Sequence, residues 1–217
     1  MLTRRLVAGG IASLGWTALG LQLYLTLQSA IAHEIPLVED VVKYLSFFTT
    51  ITNLLIAACL TLVVCEPDEE SFWNWPGVQT ALAVYILVVA IVYAAVLQGL
   101  WIPEGLEYLT DRFFHAVLPM LYIAYWVFFT PKGSLRFSDQ IFWQGYPLIY
   151  LIYTLTRGAL IGAYPYPFLD VVRDGYEGVF LNSLVLLALF VTLGSFLILI
   201  DWLVANLQTR WQGQLPG

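Results

Sequence analysis

The sequence predicts an all-α integral membrane protein whose single domain, residues 1–217, is a bundle of six transmembrane helices. Of its residues, 60% are hydrophobic and only 11% are charged, and the mean hydropathy is +0.79. Soluble domains carry roughly a quarter charged residues, so this composition is typical of a bilayer protein. A window of about 20 residues, the length that crosses the hydrocarbon core, gives the spans. They lie near residues 6–31, 40–65, 77–100, 112–130, 140–163 and 178–207.

The first apolar segment resembles a secretory signal, because Arg4 and Arg5 precede it and Ala30-Ile31-Ala32 is similar to a cleavage site. Signal cores span about 7–15 residues, however, whereas residues 6–31 can cross the roughly 30 Å hydrocarbon core. We therefore expect a retained first span. The later connections are short and rich in Pro, Gly or acidic residues, which leaves no room for a second domain.

The distribution of Lys and Arg predicts that both termini are cytoplasmic. With the N-terminus inside, the cytoplasmic side carries Arg4, Arg5, Lys132, Arg136 and Arg210, against Arg112 and Arg173 near the outside. The acidic connection Glu66–Glu70 is then also cytoplasmic, but Asp and Glu contribute little to orientation.

The second span carries a polar face in its first half. Positions three or four apart share one face of a helix, and this face holds Lys43, Ser46, Thr49, Thr50 and Asn53. Polar groups are costly in hydrocarbon, so we expect this face to meet other helices or a cavity.

Under this topology polar residues from four spans share one layer of the outer leaflet. Besides the second span, they come from the fourth, fifth and sixth: Asp111, His115, Arg157 and Asn182. Convergent polar groups inside an apolar bundle predict a binding or active site.

Several chemical roles are open to these residues. His115 either bonds a neighbouring helix or acts as a general base, with Asp111 four residues earlier able to orient its ring. Ser46 and Thr49 are candidate nucleophiles, although hydroxyls in membrane helices also bond their own backbone. Asn53 and Asn182 either donate to an oxyanion or cross-link helices.

Arg157 requires an anion or an exit to the surface, because a charge within the membrane is costly. Its candidate partners are Asp111, Asp170 and a substrate carboxylate. Gly158 and Gly162 form a GxxxG pattern, which predicts close helix packing.

Three segments then support a family resemblance: KYLSFF with the following TxxTN run (Lys43–Asn53), FFHAVLP (Phe113–Pro119) and YPFLD (Tyr166–Asp170). In order and approximate spacing they resemble the androgen-induced protein family of multi-spanning membrane hydrolases, and in particular a bacterial six-span branch. Animal members cleave fatty acid esters of hydroxy fatty acids with a threonine nucleophile and a histidine. The resemblance implies that Ser46 stands at the nucleophile position, with Thr49 one turn away, and that His115 is the histidine.

These observations predict an intramembrane lipid-ester hydrolase in the inner (plasma) membrane of a bacterium. Ser46 attacks the ester, His115 takes its proton, Asn53 or a backbone amide stabilises the oxyanion, and Arg157 or Lys43 holds a substrate carboxylate. The alternative is a non-catalytic protein that binds or transports a lipid or small amphipathic molecule in the same cavity, and a structural subunit is a third possibility. We expect no metal or other cofactor and no nucleic-acid partner.

Overall fold

The computed structural model describes residues 2–66, 71–100 and 102–212, and within these ranges the chain is helical and has no strand. The helices are α1 (Leu2–Ala32), α2 (Leu37–Leu45), α3 (Phe48–Cys65), α4 (Pro76–Val92), α5 (Gly105–Arg112), α6 (Leu118–Phe129), α7 (Asp139–Trp143), α8 (Gly145–Ile161) and α9 (Val171–Gln212). Two π-helical turns extend them: Tyr93–Leu97 follows α4, and Phe113–Val117 joins α5 to α6. Short 3₁₀ turns lie at Phe72–Asn74 and Pro167–Leu169.

Five helical segments of the described chain are long and apolar enough to cross a membrane, and the all-α prediction is confirmed. They are Leu2–Ala32, Phe48–Cys65, Pro76–Leu97, Gly105–Phe129 and Val171–Gln208. The remaining long helix, α8, has 17 residues. Two groups used in the orientation prediction, the side chain of Arg210 and residues 67–70, lie outside the described part of the chain.

The prediction of one uninterrupted helix over residues 40–65 is wrong. Helix α2 ends at Leu45, and α3 begins at Phe48 after Phe47, whose backbone is extended (φ −81°, ψ 131°). Lys43 and Asn53 therefore do not share the face of a single helix, since the chain changes direction between them. The predicted span 140–163 is likewise divided, because Gln144 separates α7 from α8.

Helix α1 packs along α3 through small side chains. Its buried positions include Ala8, Ala12, Gly15 and Ala18, spaced three or four residues apart. At Gly15 an added Cβ would lie 3.2 Å from the Cβ of Ala57 on α3, so the two backbones are close. Small residues at such spacing let membrane helices approach and gain dispersion contacts that lipid does not supply.

Aromatic side chains pack at the end of the bundle that lies away from the α2/α3 break, and their polar atoms are hydrogen-bonded. Trp126 is fully buried and donates from Nε1 to Thr80 Oγ1 at 2.8 Å. The Tyr122 hydroxyl donates to the Gln79 carbonyl at 3.1 Å, and Thr130 donates to Gln79 Oε1 at 2.8 Å. These bonds satisfy groups that would otherwise be costly away from water.

The GxxxG pattern on α8 serves a turn, and the prediction that it packs helices is wrong. Gly162 adopts a left-handed conformation (φ 70°) that ends α8. An added Cβ on Gly158 would overlap the ring of Tyr164. Both glycines thus allow the chain to fold back after α8 into the segment of residues 163–170.

That segment is fixed to the start of α9. Asp170 Oδ1 accepts hydrogen bonds from the backbone N–H groups of Val172 and Arg173 at 2.9 and 3.3 Å, as a helix N-cap does. Asp170 therefore caps the first turn of α9, which precedes a non-helical backbone conformation at Gly175 (φ 66°, ψ 170°), and does not pair with Arg157.

Candidate functional site: a cavity beside a broken helix

The break at Ser46–Phe47 leaves backbone groups without hydrogen-bond partners in a helix, and tyrosine hydroxyls act as their partners instead. The Tyr150 hydroxyl donates to the Ser46 carbonyl at 2.9 Å. The Thr49 N–H donates to the Tyr166 hydroxyl at 3.3 Å. Non-helical backbone at membrane depth is tolerated only where protein or a cavity satisfies it, and such breaks are common in binding sites.

Helix α8 carries three tyrosines on one face. Tyr146, Tyr150 and Tyr153 are spaced by four and three residues, so they project toward the break together. Tyr153 contacts the Ser46 hydroxyl at 2.8 Å, and Tyr146 contacts the Thr52 hydroxyl at 3.2 Å. These long side chains connect α8 to the break and set the distance between the two elements.

The ring of Phe48 fills the space directly behind the break. It stacks on Tyr146 at a centroid distance of 4.8 Å and meets Tyr150 edge-on at 5.1 Å. On α9 it meets Phe190 at 6.0 Å. The first residue of α3 is therefore held by aromatic contacts from α8 and α9.

A cavity of about 670 Å³ lies between α8 and α9, with α4 and the start of α3 as its other walls. Its volume is in the range of small-molecule sites. Along α9 the lining residues extend from Tyr176 to Phe190. Leu148 on α8 and Phe180 on α9 line it and are 56% and 61% exposed, so the cavity opens sideways. The walls are almost entirely aliphatic and aromatic.

Thr49 lies in the wall of this cavity, in the first turn of α3. A hydroxyl inside a helix usually bonds the carbonyl four residues earlier, as Ser183 does to Val179. For Thr49 that position is Leu45, which belongs to α2 beyond the break. Its hydroxyl instead contacts the Tyr166 hydroxyl at 3.4 Å, which is a long hydrogen bond.

Tyr166, the first residue of the YPFLD segment, lines the same cavity. Its ring packs parallel to Phe168 at 5.2 Å, and both rings line the cavity. Burial raises the pKa of Tyr166, so the phenol stays neutral at physiological pH. Two of the three segments that carry the family resemblance therefore meet at Thr49 and Tyr166.

Ser46 is 1% exposed and does not line the cavity. Its hydroxyl donates to the Val42 carbonyl at 2.6 Å, and it then accepts from Tyr153 at 2.8 Å. Its hydrogen-bond partners are thus a backbone carbonyl and a phenol, and neither is the histidine or carboxylate that would activate a serine.

His115 belongs to a separate cluster in the π-helical turn between α5 and α6. Its Nδ1 lies 2.9 Å from the carbonyl oxygen of Asp111 and 3.2 Å from Asp111 Oδ1. Because a carbonyl only accepts, this contact places a proton on Nδ1 and leaves the lone pair of a neutral ring on Nε2. The imidazole stacks on Tyr93 at 3.8 Å, and the Tyr93 hydroxyl donates to Asp111 Oδ2.

The two predicted carboxylate-binding cations lie outside the cavity wall. Lys43 is exposed on α2. Arg157 donates from Nη1 to the Ala163 carbonyl at 3.4 Å, near the end of α8. Neither is among the residues that line the cavity.

The two asparagines make local contacts. Asn53 donates to the Thr49 carbonyl at 2.8 Å, and its Oδ1 is buried without a hydrogen-bond partner among the described residues. Asn182 donates to the Phe168 carbonyl at 3.0 Å and to Asp174 Oδ2 at 3.5 Å. Asn53 thus supports the turn that carries Thr49, and Asn182 supports the segment that carries Tyr166.

The structure brings some of the predicted site residues together and separates others. Thr49 lines the cavity and Asn53 donates to its backbone carbonyl, while Asp111 and His115 lie beside each other, four residues apart. No hydrogen bond joins Ser46 and His115, both of which lie in described ranges and have other partners. Within residues 2–66, 71–100 and 102–212 no group of three or more His, Cys, Asp or Glu side chains could hold a metal ion.

No family model matches this chain, and no curated protein or solved structure matches it.

The tyrosines of α8 are the site residues that sequence reasoning missed. Their spacing at 146, 150 and 153 indicates a polar contact with a neighbouring element, because three hydroxyls on one face of an apolar helix require hydrogen-bond partners. Tyr166 belongs to the YPFLD segment, but its contact with Thr49 depends on the fold.

Proposed function

We propose that this protein is an integral membrane protein that binds an amphipathic, lipid-like molecule in the cavity between α8 and α9. The observation that carries the proposal is the cavity itself: about 670 Å³ of apolar space, open to the side, with hydroxyl groups at the helix break. An acyl chain gains the hydrophobic contact that the walls offer, and a polar head gains hydrogen bonds from the hydroxyls.

The proposed membrane arrangement has six spans and both termini in the cytoplasm. Helix α8 supplies the additional crossing, because its 17 residues are at the lower end of the length that spans the hydrocarbon core. Four spans separate the N-terminal arginines from the basic connection with Lys132 and Arg136, which keeps both groups on one side, as the positive-inside rule requires. The crossings by α8 and α9 then return the C-terminus to that same side.

Photolabelling tests the binding proposal. The purified protein in lipid nanodiscs is irradiated with a single-chain lipid that carries a diazirine in its alkyl chain, and the adducts are located by peptide mass spectrometry. We expect adducts on the cavity-lining residues of α8 and α9, such as Leu151 and Leu187.

A matched pair of variants supplies the control. Leu148 lines the cavity and is 56% exposed, whereas its neighbour Ile149 does not line it and is 68% exposed. Leu148→Trp narrows the cavity and lowers the adduct yield there, and Ile149→Trp leaves it unchanged. Adducts spread evenly over the outside of the bundle, with no difference between the variants, would contradict the proposal.

A second candidate function, hydrolysis of a lipid ester, is supported by the meeting of two family-like segments at Thr49 and Tyr166. Thr49, whose side chain lines the cavity, is then the candidate nucleophile. A reaction through Ser46 and His115 requires both side chains to leave their observed partners.

A fluorophosphonate probe tests hydrolysis, because it traps an activated hydroxyl and ignores an ordinary one. Hydrolysis predicts labelling of the folded protein that is lost in His115→Ala and in either Ser46→Ala or Thr49→Ala. Absence of labelling on a protein that still binds the diazirine lipid leaves binding as the function and rejects hydrolysis.

A further inference from the structure

The described residues that line the cavity include no Asp, Glu, Lys, Arg or His. Its polar groups are the side chains of Thr49, Gln144, Tyr150, Tyr166 and Ser183, together with the exposed Tyr176. All of them are neutral hydrogen-bonding groups. This composition limits which head groups can enter.

A charged head group in such a site lacks a counter-charge. Moving an ion out of water into an apolar environment costs several kcal/mol unless an opposite charge or several hydrogen bonds replace the water. Arg157, Arg173 and Lys43, the cations nearest in sequence to its lining residues, do not line the cavity. A carboxylate, sulfonate or phosphate head is therefore disfavoured.

The amino-terminal end of α3, where the helix dipole is positive, is also partly occupied by a protein group. The first N–H groups of a helix can bind an anion. Here one of these groups, the Thr49 N–H, already donates to the neutral Tyr166 hydroxyl, so fewer are left for an anion.

The hydroxyl groups nevertheless offer donors and acceptors to a neutral head. The Thr49 hydroxyl lacks a helical back-bond, since its i−4 residue lies beyond the break, and its contact with Tyr166 is long at 3.4 Å. The Tyr150 proton is committed to the Ser46 carbonyl, which leaves that oxygen as an acceptor. A head with one hydroxyl or carbonyl oxygen fits this set.

We propose that the ligand of this cavity is an uncharged single-chain lipid whose hydroxyl or carbonyl head group hydrogen-bonds to the hydroxyls of Thr49 and Tyr166. This inference rests on the proposed binding function and names the chemical class of its ligand. It excludes the free carboxylate that the family resemblance implies for a substrate.

Competition between matched amphiphiles tests the charge requirement. Hexadecanol and hexadecanesulfonate share one alkyl chain and differ in a permanent charge. Each is added to the protein in nanodiscs before photolabelling with a diazirine-bearing hexadecanol. We expect hexadecanol to suppress the cavity adducts at a concentration at least tenfold lower than hexadecanesulfonate.

The Thr49→Val variant tests the contact with the head group, because it keeps the shape of the side chain and removes the hydroxyl. We expect hexadecanol to compete roughly two- to tenfold less well in this variant, the loss of one hydrogen bond, and hexadecane to compete as in the wild type. Thr17→Val is the control, since Thr17 lies on α1 outside the cavity wall and its hydroxyl donates to the Ser13 carbonyl.

The outcomes separate the inference from the function on which it rests. Equal competition by the sulfonate and the alcohol, or an unchanged effect of hexadecanol in Thr49→Val, overturns the neutral-ligand inference and leaves binding intact. Failure of every probe to label the cavity overturns binding as well.

Discussion

The hydroxyl of Tyr150 donates a hydrogen bond to the backbone carbonyl of Ser46 at 2.9 Å, across 104 positions of the chain. The carbonyl belongs to the residue that follows the last residue of α2, so it has no partner in a continuous helix. A side chain from α8 thus stabilises a conformation that the local sequence does not dictate. The same contact places α8 beside the break and forms one wall of the cavity.

Tyr150→Phe is expected to destabilise the protein by roughly 1–3 kcal/mol, because it leaves the buried Ser46 carbonyl without its donor. The measurement is thermal unfolding of the purified protein in detergent micelles. Tyr153→Phe is the control: Tyr153 is 41% exposed, and the Ser46 hydroxyl keeps its bond to Val42 without it. Equal losses in the two variants would show that the Tyr150 bond has no special role.

Gly158→Ala is expected to destabilise the segment that carries Tyr166. The new Cβ would overlap the ring of Tyr164, so the ring and its loop must move. Overpacking of this kind typically costs about 1–3 kcal/mol. Since the loop moves, photolabelling of the cavity should fall together with the melting temperature.

Gly20→Ala is the matched control for Gly158→Ala. Gly20 also lies in a long helix, and a Cβ added there would meet no described atom of another element within 4 Å. We expect this substitution to be neutral or slightly stabilising, because alanine favours the helix over glycine. A Gly158→Ala protein that melts and labels like Gly20→Ala would contradict the packing described for Tyr164.

Asp111→Asn is expected to lower stability by roughly 1–3 kcal/mol, because Asp111 accepts from Tyr93 and lies 3.2 Å from His115 Nδ1. An amide offers only one acceptor oxygen where the carboxylate offered two. Glu107→Gln, at an exposed position of the same helix, should leave the melting temperature unchanged. If both variants melt alike, the cluster of Asp111, Tyr93 and His115 does not stabilise the fold.

The helices were predictable from sequence because long apolar segments have few alternatives in a bilayer. The break at Ser46–Phe47 was not, because the local sequence Leu45-Ser46-Phe47-Phe48 contains neither Pro nor Gly. Its cause is tertiary: hydroxyls from α8 and from Tyr166 satisfy the backbone groups that the break exposes. Hydropathy carries no information on such distant partners.

The candidate site was predictable only in part, for the same reason. The pairing of Asp111 with His115 follows from a spacing of four residues on one helix. Whether Ser46 or Thr49 faces a ligand depends on the break, which turns the Thr49 hydroxyl away from its own helix and toward the cavity. The expected contact of Ser46 with His115 required two spans to meet, and helical spacing does not determine which spans do so.

Lys132 follows α6 and closes its carboxyl end. Its Nζ donates to the carbonyls of Trp126 and Thr130 at 2.6 and 2.8 Å and lies 3.9 Å from the centre of the Trp126 ring. Burial lowers the pKa of Lys132 to about 8, and the Asp201 carboxylate opposes part of that shift. An uncharged amine keeps two N–H groups, so it can still donate to both carbonyls.

This depressed pKa predicts that stability rises with pH between about 8 and 10.4, the latter being the ordinary lysine value. In that window the unfolded chain binds the proton and the folded chain does not, so raising the pH favours the folded state. Melting temperatures at pH 7 and pH 9.5 measure the rise. Lys132→Met should remove part of this rise in melting temperature. Arg136 lies in the same connection but is exposed and stays charged over this pH range, so Arg136→Gln should keep the whole rise. An identical pH response in the wild type and Lys132→Met would mean that the amine is not desolvated in the folded protein.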